Sequence, residues 1–216
     1  MAHVCGWHHC RRRAGADLRT TSTLIAVLGA VIVLASTYTC AHAQGTPSEE
    51  EIGVVEVLQS EEAALAEIFA EADSAQERSI LIDSVMRVAL KARLGWIIRD
   101  SVVDYLDVFA HGTRVGMAIV AEEQGKYRPI TFIAGIDTTL RVADVRVLIY
   151  RESRGGEVRH TRFLKQYRGK SLENPIRINR DIINITGATI SVNALNAGVR
   201  KALAIAEYVQ AGAVRN

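Results

Sequence analysis

The sequence predicts an α+β domain, an antiparallel meander sheet flanked by helices, behind an N-terminal signal or anchor segment. Two observations carry that expectation. The spacing of apolar residues shortens from about 3.6 to 2 near Val103. Beyond that point, apolar stretches follow one another through short turns instead of intervening helices, which excludes a βαβ arrangement.

The elements follow in order. Arg11, Arg12 and Arg13 precede the apolar run Leu24 to Ala35, and Ala41-His42-Ala43 gives the small-x-small pattern of a signal-peptidase site. The run falls short of the roughly 20 residues of a membrane span. Residues 1–43 therefore read as a cleaved signal peptide or as an uncleaved N-terminal anchor. Either way the basic side stays in the cytoplasm and the remainder is exported, so the expected place is periplasmic or on the outer face of the cytoplasmic membrane. Cys40 follows Tyr38-Thr39, not the small residues of a lipidation site.

Residues 44–60 read as a linker, opened by the polar stretch Gln44 to Glu51 with Gly45 and Pro47. Residues 61–100 read as a helical lead-in. Leu65, Ile68 and Phe69 stand at helical spacing behind Glu61-Glu62, an acidic pair suited to a helix amino terminus. Asp83 to Leu90 repeats the pattern and stops near Gly95. Residues 101–210 read as the main domain, with strands over 103–109, 115–121, 129–136 and 142–150. A short helix is expected over Val158 to Tyr167, and a longer one over Asn193 to Tyr208 with Leu195, Val199, Leu203 and Ala206 on one face.

The net charge of +2 over 216 residues suggests a basic protein, but Arg11, Arg12, Arg13 and Arg19 against the lone Asp17 account for it. The remainder is close to neutral, which gives no drive toward nucleic acid. Cys5, Cys10 and Cys40 are the only cysteines and all lie in the leader, so the exported part has no disulfide, thiolate metal site or cysteine nucleophile. Its two histidines, His111 and His160, match no metal-ligand spacing.

Thr186-Gly187-Ala188-Thr189-Ile190-Ser191 places small residues among three hydroxyls, just before the long terminal helix. Small residues allow close approach to the backbone, and a helix amino terminus offers unpaired N–H groups to a phosphate. The plainer reading makes Ser191 or Thr189 the N-cap, with Ser191 the better candidate. Spacing alone leaves both open.

The segment resembles the S/T-G-A-T-x-S/T signature of the FMN-binding domain found in the C subunit of sodium-pumping NADH:quinone reductase and the G subunit of Rnf complexes. It is closer still to single-domain exported proteins of that kind. Gly135-Ile136-Asp137 resembles the family's mid-sheet G-I-D, and Tyr150 to Arg159 resembles its E-[ST]-x-G loop. Phe163-Leu164-Lys165-Gln166-Tyr167-Arg168-Gly169-Lys170 resembles its F-L-x-Q-F-x-G-K helix end. The likeness runs from Asp104 to Leu203, with a looser reach back to Glu61–Asp73.

The resemblance implies that Thr189 carries FMN as a phosphoester, attached from FAD by a separate flavin transferase whose divalent metal is its own. Thr186 and Ser191 become supporting hydroxyls. Gly187 and Ala188 leave room for cofactor and transferase, while Glu152 and Gly155 belong to a loop closing over the flavin. Two departures stand out. Ile183 occupies a position where the family often has aspartate, with Asp181 and Asn184 nearby, and Arg154 stands where the complex subunits usually have proline. Arg154 either pairs with Glu152 or Glu157 or approaches the flavin; Lys170 either contacts phosphate or caps its helix. Tyr150 and Trp96 read as packing residues with stacking as the alternative.

The expected function is an electron carrier between membrane and exported redox partners, since no acid–base pair or nucleophilic array is evident. A reductase of a small acceptor would need a proton donor, for which His111, His160 and Tyr150 are the candidates. A flavin-free module of the same fold is the third possibility.

Overall fold

The structure is a computed structural model that describes residues 55–213. The leader, the start of the linker and the last three residues lie outside that range. Among the described residues the elements are β1 (Glu56–Val57), α1 (Glu61–Ile68), β2 (Ser74–Leu81), α2 (Ser84–Leu94), β3 (Val102–Ala110), β4 (Thr113–Gln124), β5 (Pro129–Asp137), β6 (Val142–Tyr150), α3 (Thr161–Leu164) and α4 (Thr189–Ala213). Single 3₁₀ turns at Gly156–Arg159 and Lys165–Tyr167 flank α3.

The strands form one antiparallel sheet in the order β1-β6-β5-β4-β3-β2, so β2 to β6 run as a meander and β1 adds to its far edge. This is the α+β architecture the sequence predicts. Helices cover both faces, and strand alternation sorts the residues between them. On β5, Ile130, Phe132, Ala134 and Ile136 enter the larger core beneath α2 and α4, while Ile133 joins the smaller cluster with Ala64 and Phe69 of the α1 region. Gly116 and Gly135 lie under the Phe69 ring; a Cβ on either would come within 2.9 Å of a ring carbon. The two bare positions let α1 lie close to the sheet.

Both helices of the lead-in have side-chain caps. Ser60 accepts from the Ala63 amide and Asp83 from the Met86 amide, each satisfying a donor that helix geometry orphans. Gly95 ends α2 in the left-handed region at φ 87°.

Two expectations need correction here. The lead-in is not purely helical, because Ser74–Leu81 forms β2 between its helices; the linker likewise ends in β1, paired with β6. The sequence of β2, Ser-Ala-Gln-Glu-Arg-Ser-Ile-Leu, lacks alternation because an edge strand exposed on both faces buries no apolar row. Its register comes from backbone bonds to β3. In addition, α4 spans Thr189–Ala213, beginning four residues before and ending five after the expected Asn193 to Tyr208. Thr189, Ile190 and Ser191 are weak helix formers, and tertiary packing overrides that preference.

Between β6 and the 3₁₀ turn before Gly169, a buried charge cluster ties the layers together. Asp144, 3% exposed, accepts from the Val145 amide at 2.9 Å and from the guanidinium groups of Arg146 and Arg168. Arg146 reaches on to Glu67 of α1 at 2.7 Å. Burial pushes the Asp144 carboxyl up, but the bonds from Arg168, the Val145 amide and Arg146 outweigh it and hold the group below its usual range.

Replacing Asp144 by alanine leaves the buried Arg146 with Glu67 as its one remaining acidic partner and should cost about 3 kcal/mol in urea unfolding. The depressed value fixes the sign of the pH dependence. The Asp144 contribution is complete above the unfolded carboxylate pKa of about 3.9 and is lost as pH falls through the folded value. Urea midpoints measured from pH 7 downward should therefore converge for wild type and Asp144→Asn only in acid.

Candidate functional site

A cleft of about 520 Å³ lies where the β4–β5 turn, the loop after β6 and the first turn of α4 meet. Its size falls within the range typical of small-ligand sites. Lys126 and Tyr127 line it from the first segment, Glu152, Ser153 and Arg154 from the second, and Gly187 to Ser191 from the third.

Local rules explain how each wall is held. Glu152 is buried, and its Oε1 accepts from the amides of Tyr127 at 2.7 Å and Arg128 at 3.0 Å. The carboxylate thus ties the β4–β5 turn to the loop after β6. Gly125 makes room for it, since a Cβ there would run into Glu152 Oε1 and lie 2.6 Å from the Arg128 carbonyl oxygen. Within the loop, the Tyr150 hydroxyl donates to the Arg154 carbonyl at 2.6 Å. Burial raises the pKa of Tyr150, opposed by its contact with Ser191. Gly155 adopts φ 78°, and a Cβ on it would stand 2.9 Å from that of Ala188, so this position fixes how closely the loop abuts α4.

The third wall is set from below. Tyr167 is fully buried and donates to Asn196 of α4 at 2.8 Å. Gln166 accepts from the Ile183 amide at 2.7 Å, drawing the chain toward the motif. Asp181 accepts from the amides of Arg177 at 2.9 Å and Ile176 at 3.1 Å, and pairs with Lys170 at 3.0 Å. Burial alone would raise the Asp181 carboxyl; the Arg177 amide and Lys170 reverse this and lower it.

Gly187, at φ 83°, turns the chain into α4. The first backbone bond of α4 runs from the Val192 amide to the Ala188 carbonyl at 2.9 Å. Ala188 therefore stands at the cap position, where its methyl group has nothing to offer the amides of Thr189, Ile190 and Ser191. Thr189 is exposed at the first position of α4, and its Oγ1 accepts from Asn184 Nδ2 at 3.0 Å.

Several expectations change. Ser191 is not the N-cap: it lies inside the first turn, 5% exposed, with Oγ 3.4 Å from the Tyr150 hydroxyl. Thr186 and Gly155 are not among the cleft-lining residues, although each adjoins one. Lys170 is engaged by Asp181. No ion pair joins Arg154 to Glu152 or Glu157 among the described residues, and Arg154 lines the cleft instead. Trp96 packs beneath the Arg200 guanidinium, 4.7 Å from its ring centre, and Tyr150 serves as the loop tie. Asp137 is a turn residue, accepting from the Thr139 and Arg141 amides at 2.8 and 3.0 Å.

The reading of the sequence missed Lys126 and Tyr127. The turn around Gly125 was legible, but nothing local shows that it faces the Thr189 motif. His111, on the β3–β4 turn beside Asp73, and His160 also lie outside the cleft lining.

A cleft with two cations and a helix amino terminus whose cap position holds alanine define a site suited to a phosphate-bearing ligand. Residues 125–204 match the family model of the FMN-binding domain. The matched range includes all three walls of the cleft. No curated protein matches the chain.

The residues present fit FMN: the first-turn amides of α4 adjoin the exposed Thr189, and the cleft has room for a ring system. Glu152→Ala should leave the Tyr127 and Arg128 amides unmet at a cost of about 1–3 kcal/mol. Faster hydrogen exchange at those two amides, with α2 unaffected, is the measurement that checks it.

Proposed function

We propose that this chain is an exported flavoprotein that holds FMN as a phosphoester on Thr189 and relays electrons outside the cytoplasm. The observation that carries the reading is Thr189 itself. Thr189 is exposed at the mouth of α4, beside amides that no side-chain cap meets among the described residues, in a cleft lined by Lys126 and Arg154.

FMN supplies one- or two-electron transfer when bound. The chain supplies position and charge. The helix amino terminus would favour the single negative charge of the phosphodiester, and the fixed first turn would hold it near those amides. Lys126, stacked 4.4 Å from the centre of the Tyr127 ring, and Arg154 place positive charge at the rim. A covalent tether suits an exported protein, because a lost flavin would not be replaced there. The leader pattern in residues 1–43 supports export, and a flavin transferase and membrane or exported redox proteins are the partners it implies. Of the proton-donor candidates, Tyr150 has its hydroxyl engaged by the Arg154 carbonyl, and His111 and His160 lie outside the cleft lining.

One observation favours the flavin-free alternative. Ile183 is 76% exposed at the position where the resemblance leads one to expect aspartate. Mass decides between the two. Chain recovered from its native envelope should carry one added FMN phosphoryl group and retain yellow fluorescence after denaturation. Thr189→Ala should abolish both, and an unmodified wild-type mass would defeat the proposal.

Arg154→Gln removes a positive charge from the cleft rim and should lower the flavin midpoint potential. The expected drop is on the order of 30 mV, a tenfold change for a two-electron couple. A spectroelectrochemical titration of the modified chain measures it directly.

A further inference from the structure

We propose that Asn184 is a positioning residue for flavin attachment, aiming the Thr189 hydroxyl into the cleft; this inference rests on the function proposed above. Three observations converge on Asn184. Its Nδ2 donates to Thr189 Oγ1 at 3.0 Å, five residues along the chain. Its Oδ1 is buried with no hydrogen-bond partner, a state that carries a cost and calls for a reason. Asn184 also lines a second cleft, of about 470 Å³, with Phe163, Gln166 and Ile183, whereas Thr189 lines the first. The Asn184–Thr189 bond is thus the ridge between the two hollows.

The geometry assigns a consequence to each lone pair. A threonine hydroxyl has one proton and two acceptor positions. Asn184 occupies one of those positions from the side of the second cleft. That fixes the side-chain rotamer and leaves the remaining lone pair free for attack from the first cleft. Because Asn184 donates, the hydroxyl proton is not held by it and remains available to a base.

The step balances as follows. Thr189 Oγ1 forms a bond to the FMN-side phosphorus of FAD, the pyrophosphate P–O bond breaks, and AMP leaves with the electron pair. The hydroxyl proton passes to a base of the transferase. No oxidation or reduction takes place. Ile183 presents no polar group here and is exposed, so the side chain that meets the acceptor oxygen is the neighbouring asparagine.

The test uses the full chain, purified in mild detergent without flavin, as acceptor substrate for a flavin transferase with FAD and a divalent cation. Initial rates of mass gain are measured against acceptor concentration for wild type, Asn184→Ala, Asn184→Asp and Thr189→Ala. Loss of one positioning bond should lower kcat about three- to tenfold in Asn184→Ala, with KM for the acceptor and the melting temperature unchanged. Asn184→Asp should also be slow, because a carboxylate cannot donate to Oγ1. Wild-type rates in either Asn184 variant, alongside normal modification of wild type at Thr189, would overturn the inference alone. A matching rise in KM would also overturn it, since that marks a docking role. Absence of modification at Thr189 in wild type would remove both this inference and the function it rests on.

Discussion

The site depends on one constraint, the close abutment of the loop after β6 on the start of α4. Gly155 and Ala188 meet there with no side chain larger than a methyl between them, and the left-handed turn at Gly155 is what a larger residue would strain. From this contact follow the buried place of Ser191 and the tie from Tyr150 to the Arg154 carbonyl. The same contact explains why an alanine stands where helices usually begin with a hydroxyl or carboxamide. A polar cap would satisfy the amides internally and occupy the space a phosphate needs.

Charge is distributed by a consistent division of labour. Buried and half-buried carboxylates are used by the protein itself: Glu152 on two backbone amides, Asp144 on two arginines, Asp181 on a lysine and two amides. These groups set geometry. The cations that line the cleft, Lys126 and Arg154, make no ion pair among the described residues. An anion entering the cleft therefore meets positive charge that the fold has not already neutralised, while carboxylates that would repel it are turned to other tasks.

Much of the sheet was legible from sequence because β3 to β6 each bury at least one face, and burial writes a period of 2 into the residues. Phe132 and Ile133 point to opposite cores, and their neighbours follow. The edge strand β2 was illegible for the complementary reason: backbone pairing needs no particular side chains. The start of α4 was misplaced because Thr189, Ile190 and Ser191 have little helix preference, and the packing that holds them there comes from residues 150–158. Thr189 and the Glu152 loop were found through the resemblance. Lys126, Tyr127 and the donor role of Asn184 depend on which segments meet in space, and no local pattern records that.

The bare strip formed by Gly116 and Gly135 under Phe69 bears on how the molecule breathes. The smaller core beneath α1 is made of a few residues, so α1 is the layer most easily lifted by thermal opening. Such an event uncovers the two glycine peptide units, already paired within the sheet, together with Val108, Ile133 and Leu148 of that face. The cleft on the opposite side, built on α4 and the larger core, stays assembled meanwhile.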